Sequence, residues 1–470
     1  MIRKLQTSDV DVQAWVQLGH SRPALRKPWR KLITVTLLEG PTAALSKARS
    51  RLREEADECR MVGVLTTGGL NGVSFDGGSS VYISDIPRPG GAWSNPFAYD
   101  VYVGTRRAAT DAQVGATKRN RVFLVGCGDY ARSHVLRFVP RDHMYCCVDY
   151  NDGRLHDLRL MFPYRFNHIT EALDLWAQSR SPVAILLSFH SDHTREAVAL
   201  YGANPDGTIL VEKPPCVGPN DIGQMVALLR DRSRVMVGFN RRYAPLAREV
   251  RRHLGREPKI ISMSVREVRI ESNHWYWWPN QGTRVTGNLC HWIDLAQYLV
   301  GAPDPTAVQL LRATESGQDY GVQISYQDGS LTSIVVSEHG NDIRGVQEYI
   351  EVRSGDLTAR IDDFKDLIVH QRDGTSKRRR LLFRDKGHSR IYRAFWKAAA
   401  EEQWVPQYSA PELQRVAGLT YVLSEMTRRG LVAAKHVEDA WVAGGEVLLR
   451  DGAMADSVQE IGMAAVGSNP

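Results

Sequence analysis

Three short segments of this 470-residue chain hold residue types whose spacing could do chemistry: Gly126-Cys127-Gly128-Asp129-Tyr130-Ala131, Glu212-Lys213-Pro214, and the run from Gly287 through Asn288 and His291 to Asp294. The first is a G-x-G-x-x-A. Gly126 permits a tight turn, Gly128 lets a pyrophosphate approach the backbone, and Ala131 allows a helix to pack closely on the preceding strand. The N-terminus of that helix would face the phosphates. His291 offers an imidazole whose unperturbed pKa lies near neutrality, which suits a general acid or base. Lys213 could hydrogen-bond a reacting oxygen and favour negative charge developing on it.

Elements must hold these segments together. "RVFLVG" precedes the glycine turn, and "MYCCVDY", "VAILLSF", "TILVEKP" and "RVMVGFN" follow as further apolar strands with helical stretches between them. Strand–helix alternation with almost wholly apolar strands predicts a parallel sheet covered on both faces. Asp149 ends the second strand about twenty residues after the glycines, where a carboxylate accepts from a ribose 2′-hydroxyl and repels a 2′-phosphate. The expected cofactor is therefore NAD, with Arg154 nearby leaving NADP possible. Lys213 falls at the C-terminal end of a strand, where open α/β sheets bind ligands.

From about residue 240 the pattern changes. "KIISMSVREVRI", "VQISYQDGSLTSIVVSEHG" and "QEYIEVRSGDLTARIDD" alternate in twos, with hairpin-like turns at "QDGS" and "SGDL". The expected fold class is α/β: a Rossmann dinucleotide-binding domain over 120–240, then an α+β domain over 241–432 with a large, mostly antiparallel open sheet. An N-terminal accessory region of uncertain fold, 1–119, precedes them, and a tail, 433–470, follows. In the third region Val308, Leu310, Val335 and Ile350 are candidates for an apolar outer sheet face that packs against a second copy.

Composition narrows the classes. Hydrophobic residues are 43% and charged ones 24%, which is ordinary for a soluble globular protein. No run of about eighteen apolar residues predicts a transmembrane helix, and the start has no apolar signal segment. A cytoplasmic protein is expected. The six cysteines show no CxxC pair and no zinc spacing, so no metal site is expected. Net charge is +7, with basic runs at 21–31 and 376–380. Without aromatic interleaving or a known nucleic-acid motif these read as solvated faces, and no nucleic-acid partner is expected.

In this order, GxGxxA, "SFHSDHT", "VEKPP", "GFNRRY" and "GNLCHWIDL" resemble the Gfo/Idh/MocA oxidoreductases, over roughly residues 121–430. The resemblance implies a Rossmann domain with NAD or NADP, and hydride chemistry at a hydroxyl or carbonyl carbon of a sugar, nucleotide sugar, cyclitol or related small molecule. Lys213 matches the family's active-site lysine, His291 its histidine and Asp294 the aspartate three residues on. His193 matches the histidine before the E-K-P. On the cofactor side stand Gly126, Gly128, Asp129, Tyr130, Ala131, Asp149, Tyr150, Ser188, His190, His193, Glu212 and Lys213. On the substrate side stand Asn240, Arg241, Tyr243, Trp275, Asn288 and Asp294, with Arg241 placed to meet a substrate carboxylate or phosphate. Trp275 belongs to "NHWYWWPN", which would either wall a sugar pocket or pack as core.

One departure matters. Many relatives carry an aspartate four residues before the histidine, where this chain has Gly287. A related branch of bi-domain oxidoreductases, which the segments around His291 and "RDKGHSRIYRAFWKA" resemble more, places a glutamate where Asn288 stands. Without that carboxylate the imidazole is expected to be neutral at pH 7 and to act first as a base. Two alternatives follow: a cofactor-binding regulatory or structural protein on the same fold, or an enzyme using transient oxidation for epimerisation or elimination. A homodimer or homotetramer is expected.

Overall fold

The computed structural model describes residues 121–428 apart from 231–232, 271–283, 313–318, 341–344, 402, 405 and 407, together with 434–436 and short pieces before residue 121. The basic run 21–31 and the tryptophan cluster 273–280, Trp275 included, lie outside the described residues. Before residue 121 the described strands make three separate antiparallel pairs: Arg3–Leu5 with Val101–Val103, Val12–Gln17 with Met61–Leu65, and Val73–Phe75 with Ser79–Val81.

The first sheet has six strands: β1 Val122–Val125, β2 Met144–Val148, β3 Tyr164–Phe166, β4 Val183–Leu186, β5 Thr208–Val211 and β6 Arg234–Val237. All pair parallel, in the order β6-β5-β4-β1-β2-β3. Every residue of β1, β2, β4 and β5 is buried, as expected of strands covered on both faces. Helices α1 Asp152–Asp157, α2 Leu173–Ala177, α3 His193–Ala203 and α4 Pro219–Arg230 complete this domain. The chain runs from β1 outward to β2 and β3, then returns to lay β4 on the other side of β1. The loops after β1 and β4 diverge there, and such a switch point opens the crevice in which doubly wound sheets bind ligands.

The helix predicted after the glycines is irregular. A wide turn over Ala131–Val135 passes into a 3-10 turn, Leu136–Phe138. Ser133 turns its hydroxyl back onto the Asp129 carbonyl at 2.7 Å, a bond that competes with regular helix, and Pro140 follows.

The second unit holds α5 Pro245–His253, β7 Lys259–Arg266, α6 Cys290–Val300, β8 Pro305–Arg312, β9 Tyr320–Tyr326, β10 Leu331–Ser337, β11 Gln347–Ser354, β12 Leu357–Asp362, β13 Asp366–Gln371 and β14 Ser376–Arg380. Two long helices follow, α7 His388–Ala400 and α8 Ala410–Arg428, then β15 Ala434–His436. The nine strands run β14-β13-β12-β11-β7-β10-β9-β8-β15, and only β7 and β10 pair parallel. The basic run 376–380 is the edge strand β14, with every residue exposed, and cations on an edge discourage pairing with another sheet.

Three expectations need correction. Residues 434–436 are not tail: they pair with β8 and extend the second sheet. Helix α7 is not a substrate-domain element: Ile391, Tyr392 and Phe395 pack into the first domain's core with Val122, Leu124 and Met236. Val308, Leu310 and Ile350 do not face outward; each is at most 2% exposed, whereas Val335 is 51% exposed. Because side chains alternate at a period of two, a one-residue misreading of phase moves a strand's apolar set to the other face. The outward apolar residues are Ile260, Leu311, Leu331 and Val335.

Candidate functional site

Gly126 takes φ +87°, and a Cβ there would stand 2.4 Å from the Leu187 carbonyl carbon and 2.7 Å from the Ser188 nitrogen. Only glycine lets the β1 turn lie this closely on the loop after β4. The Gly126 N–H donates to Val148 O at 2.8 Å, and the Cys127 N–H to Asp149 Oδ2 at 2.6 Å. Asp149 also accepts from the Asn151 N–H at 2.8 Å and stands 3.5 Å from Arg154 Nη1. A Cβ on Gly128 would meet nothing nearer than the tip of Arg154, at 3.7 Å. The turn is thus open on the side where a diphosphate would approach, and the Asp149 carboxylate is held at the end of β2 beside it. The residues present fit a dinucleotide.

On the same crevice, Ser188 Oγ lies 2.5 Å from Glu196 Oε2, and the Tyr150 hydroxyl donates to Asp192 Oδ2 at 3.3 Å. His190 is buried. His193 donates from Nδ1 to the Pro214 carbonyl at 2.7 Å, which ties α3 to the turn after Lys213. Burial pushes the His193 imidazole down to about 4. Glu212 is buried: its carboxyl accepts from the Tyr392 hydroxyl at 2.6 Å, and Tyr392 lies 3.2 Å from the Tyr130 hydroxyl. Glu212 is therefore a link from α7 to the Lys213 turn, with Tyr130 joined to it. Burial pushes its carboxyl up.

Lys213 crosses between the two domains. Its ammonium donates to the Gly287 carbonyl at 2.8 Å, inside the wide turn Val285–Leu289 that feeds α6. Turns of this kind interrupt helices where side chains must be re-aimed. His291 follows in the first turn of α6, half-buried, with Nδ1 sealed from solvent and making no hydrogen bond among the described residues. Burial first, then Arg241, Lys213, His388 and Lys386, push its imidazole well below the usual range. The shift runs in the direction that disfavours a charged imidazole, as neighbouring cations do where no carboxylate stands at 287. Asn288 is half-buried beside it.

Three expected substrate contacts are committed within the protein, and a fourth is buried. Arg241 grips Glu348 at 2.7 and 2.9 Å rather than facing a ligand. Asp294 is fully buried, bound to Arg242 at 3.1 and 2.5 Å and accepting from the Tyr408 hydroxyl at 2.9 Å. Asn240 donates to the Lys386 carbonyl at 2.7 Å, and Tyr243 is buried. A charged group packed this deeply needs a partner, and each of the charged residues finds it within the protein.

Sequence reasoning missed Glu348. In β11, Ile350 and Val352 face the core, so a glutamate two residues earlier must also point inward. That conflict was the available signal. Burial would raise the Glu348 carboxyl, but Arg241 and Lys386 hold it well below the usual carboxylate range. Tyr392 and Glu196 carried no comparable signal.

No family model matches the chain, and no curated protein does. Solved structures match over about two thirds of the chain. A levoglucosan dehydrogenase in complex with NADH and levoglucosan is 18% identical, with a TM-score of 0.57, covering 68% of this chain and 100% of that one. The WlbA dehydrogenase from Bordetella pertussis, in complex with NADH and UDP-GlcNAcA, is 16% identical with a TM-score of 0.53, covering 68% and 99%. A putative myo-inositol dehydrogenase from Sinorhizobium meliloti is 16% identical with a TM-score of 0.55, covering 68% and 99%. The chain shares the two-domain fold of these Gfo/Idh/MocA-type oxidoreductases. No helix among the described residues is long and apolar enough to cross a membrane.

Proposed function

We propose that the chain is an NAD-dependent oxidoreductase acting on a hydroxyl or carbonyl carbon of a sugar, nucleotide sugar, cyclitol or related small molecule. The observation that supports this most is the Lys213–Gly287 hydrogen bond at 2.8 Å. It brings a strand-end lysine of the dinucleotide domain onto the turn that presents His291. The same fold carries NADH in two of the matched structures.

Bound NAD would supply the hydride acceptor or donor. Gly126, Gly128 and Asp149 would hold it along the switch point. His291, neutral at pH 7, would take the proton from a substrate hydroxyl, and Lys213 would favour the negative charge left on that oxygen. Their separation into a base that is uncharged and a cation that stays beside it is what alcohol oxidation requires. Since Arg241 and Asp294 are spent on buried pairs, the substrate contacts assigned here are Lys213, His291 and Asn288.

Calorimetry with NAD and NADP tests the reading. NAD should bind, and more tightly than NADP, because Asp149 would repel a 2′-phosphate. Binding of neither nucleotide would overturn the proposal; tighter NADP binding would remove Asp149 from the specificity role and give it to Arg154.

A further inference from the structure

The loop after β4 meets the glycine turn at the switch point, and Ser188 stands in it, half-buried. Its backbone nitrogen is, with the Leu187 carbonyl, among the atoms a Cβ on Gly126 would strike, so Ser188 borders the glycine turn. Beneath it lies Glu196, 3% exposed, in the first turn of α3. The two oxygens are 2.5 Å apart. Among the described residues no cation bonds Glu196: Arg195 is paired with Asp192 at 3.3 Å. A carboxyl this deeply buried with no cation bonded to it favours its neutral form.

We propose that Glu196 is a positioning residue that sets the hydrogen-bond polarity of Ser188 towards the dinucleotide. A protonated Glu196 donates its O–H to Ser188 Oγ and leaves the serine proton free to point into the crevice. An ionised Glu196 can only accept. It then captures the serine proton, and Ser188 presents lone pairs instead. Phosphate oxygens accept and do not donate, so the first state fits a diphosphate and the second opposes it. The inference rests on the dinucleotide reading and adds a control that the glycine turn alone does not supply.

The surroundings place the change in an accessible range. Burial, then the neighbouring Asp192, push the Glu196 carboxyl up to about 8, against the Ser188 hydrogen bond and the Arg195 charge. Other titratable groups around this cluster are Tyr150, whose hydroxyl is pushed well above 10 by burial, His193 and His168, each pushed down to about 4 by burial, and Asp221, pushed up by burial against the pull of Arg195. Tyr150 therefore keeps its proton through the window in which Glu196 loses its own.

NAD affinity should fall by about two- to tenfold as pH rises from 6.5 to 9, the worth of one hydrogen bond. Calorimetry across that range is the measurement, on the full chain and on Glu196→Gln and Ser188→Ala. Glu196→Gln should flatten the profile because an amide does not ionise, and Ser188→Ala should flatten it because the responding hydroxyl is gone. A step that persists in Ser188→Ala would assign the effect to charge alone and overturn the inference. So would a wild-type profile without a step, or carbon-13 spectra of glutamate-labelled protein in which no carboxyl titrating near pH 8 disappears in Glu196→Gln. Failure of NAD to bind at any pH is a different result: it overturns the dinucleotide reading, and this inference with it.

Discussion

Arg241 and Glu348 form a two-point ion pair in which the side chains keep 6% and 0% of their exposure. Arg241 comes from the 3-10 turn Asn240–Tyr243 at the end of the first domain, Glu348 from β11 of the large sheet. The Trp292 indole N–H donates to the same carboxylate at 2.8 Å and the Lys386 ammonium lies 2.6 Å away. Trp292 neighbours His291 in α6. One buried carboxylate thus fixes the junction, the sheet and the helix that presents the candidate base.

Removing this carboxylate should therefore destabilise the fold. Glu348→Gln takes the anion from buried Arg241 and leaves Lys386 only Asp363, at 3.8 Å, and breaking a buried pair costs about 3–5 kcal/mol. Urea denaturation at pH 7 measures it. A loss under about 1 kcal/mol would show that water reaches the cations and that the pair is not a structural clamp.

The contrast between what was legible and what was not is clearest here. Apolar strands and the GxGxxA located the first domain because parallel strands are buried on both faces and read as continuous apolar runs. Lys213 and His291 were singled out through the order of the segments that resemble the family, and the Lys213 ammonium does reach the Gly287 carbonyl in the turn before His291. Arg241 was not, because whether an arginine meets a ligand or a protein carboxylate depends on a partner 107 residues away. Asp294 failed for the same reason. Helix α7 was misassigned since nothing in its own sequence says which of two apolar surfaces it covers.

The catalytic assignment predicts a kinetic pattern. His291→Asn keeps a polar group but deletes the proton acceptor, and should lower kcat about a hundred- to ten-thousand-fold. Lys213→Ala should do at least as much. NAD affinity, measured separately by calorimetry, should change little in His291→Asn. Turnover like wild type in that variant would remove His291 from the mechanism and leave Lys213 as the acid or base.

Buried histidines predict acid sensitivity. The His193 pKa is lowered from 6.5 to about 4 by burial, so between these values the unfolded chain binds a proton the native chain does not. Its stabilising effect is present above pH 6.5 and is lost as pH falls towards 4. From pH 7 to pH 5 the loss is about 2 kcal/mol. His193→Gln, which can still donate to Pro214 O, should show a shallower decline over that interval in denaturant titrations; an unchanged slope would mean that His193 is hydrated.

The outer sheet face predicts assembly. Ile260 and Leu331 are direct partners across β7 and β10, and Val335 and Leu311 flank Gly321 on β9. These apolar side chains, 36–51% exposed, lie on one face of neighbouring strands, where contiguous apolar surface marks an interface. Light scattering should report a homodimer or homotetramer at micromolar concentration. Val335→Arg should shift it towards monomer, and a monomeric wild type would overturn the assignment.

The glycine turn gives the most local prediction. At Gly126 two penalties act together: φ is +87°, and an added methyl would sit 2.4 Å from the Leu187 carbonyl. The obstruction is backbone, held by the Leu187 N–H donating to Val125 O at 2.7 Å, so it cannot rotate aside as a side chain would. Gly126→Ala must then push β1 and β4 apart at their C-terminal ends. That is where the crevice opens and where Ser188 and Asp149 stand. The core beneath, with β1 and β4 fully buried, is spared the direct clash. The variant should remain folded by far-ultraviolet circular dichroism while its NAD affinity falls at least tenfold by calorimetry. Gly202→Ala, at a position on α3 with nothing within 4 Å of the new carbon, serves as the control and should bind NAD as wild type does. Equal NAD affinity in Gly126→Ala and Gly202→Ala would show that the turn does not carry the nucleotide.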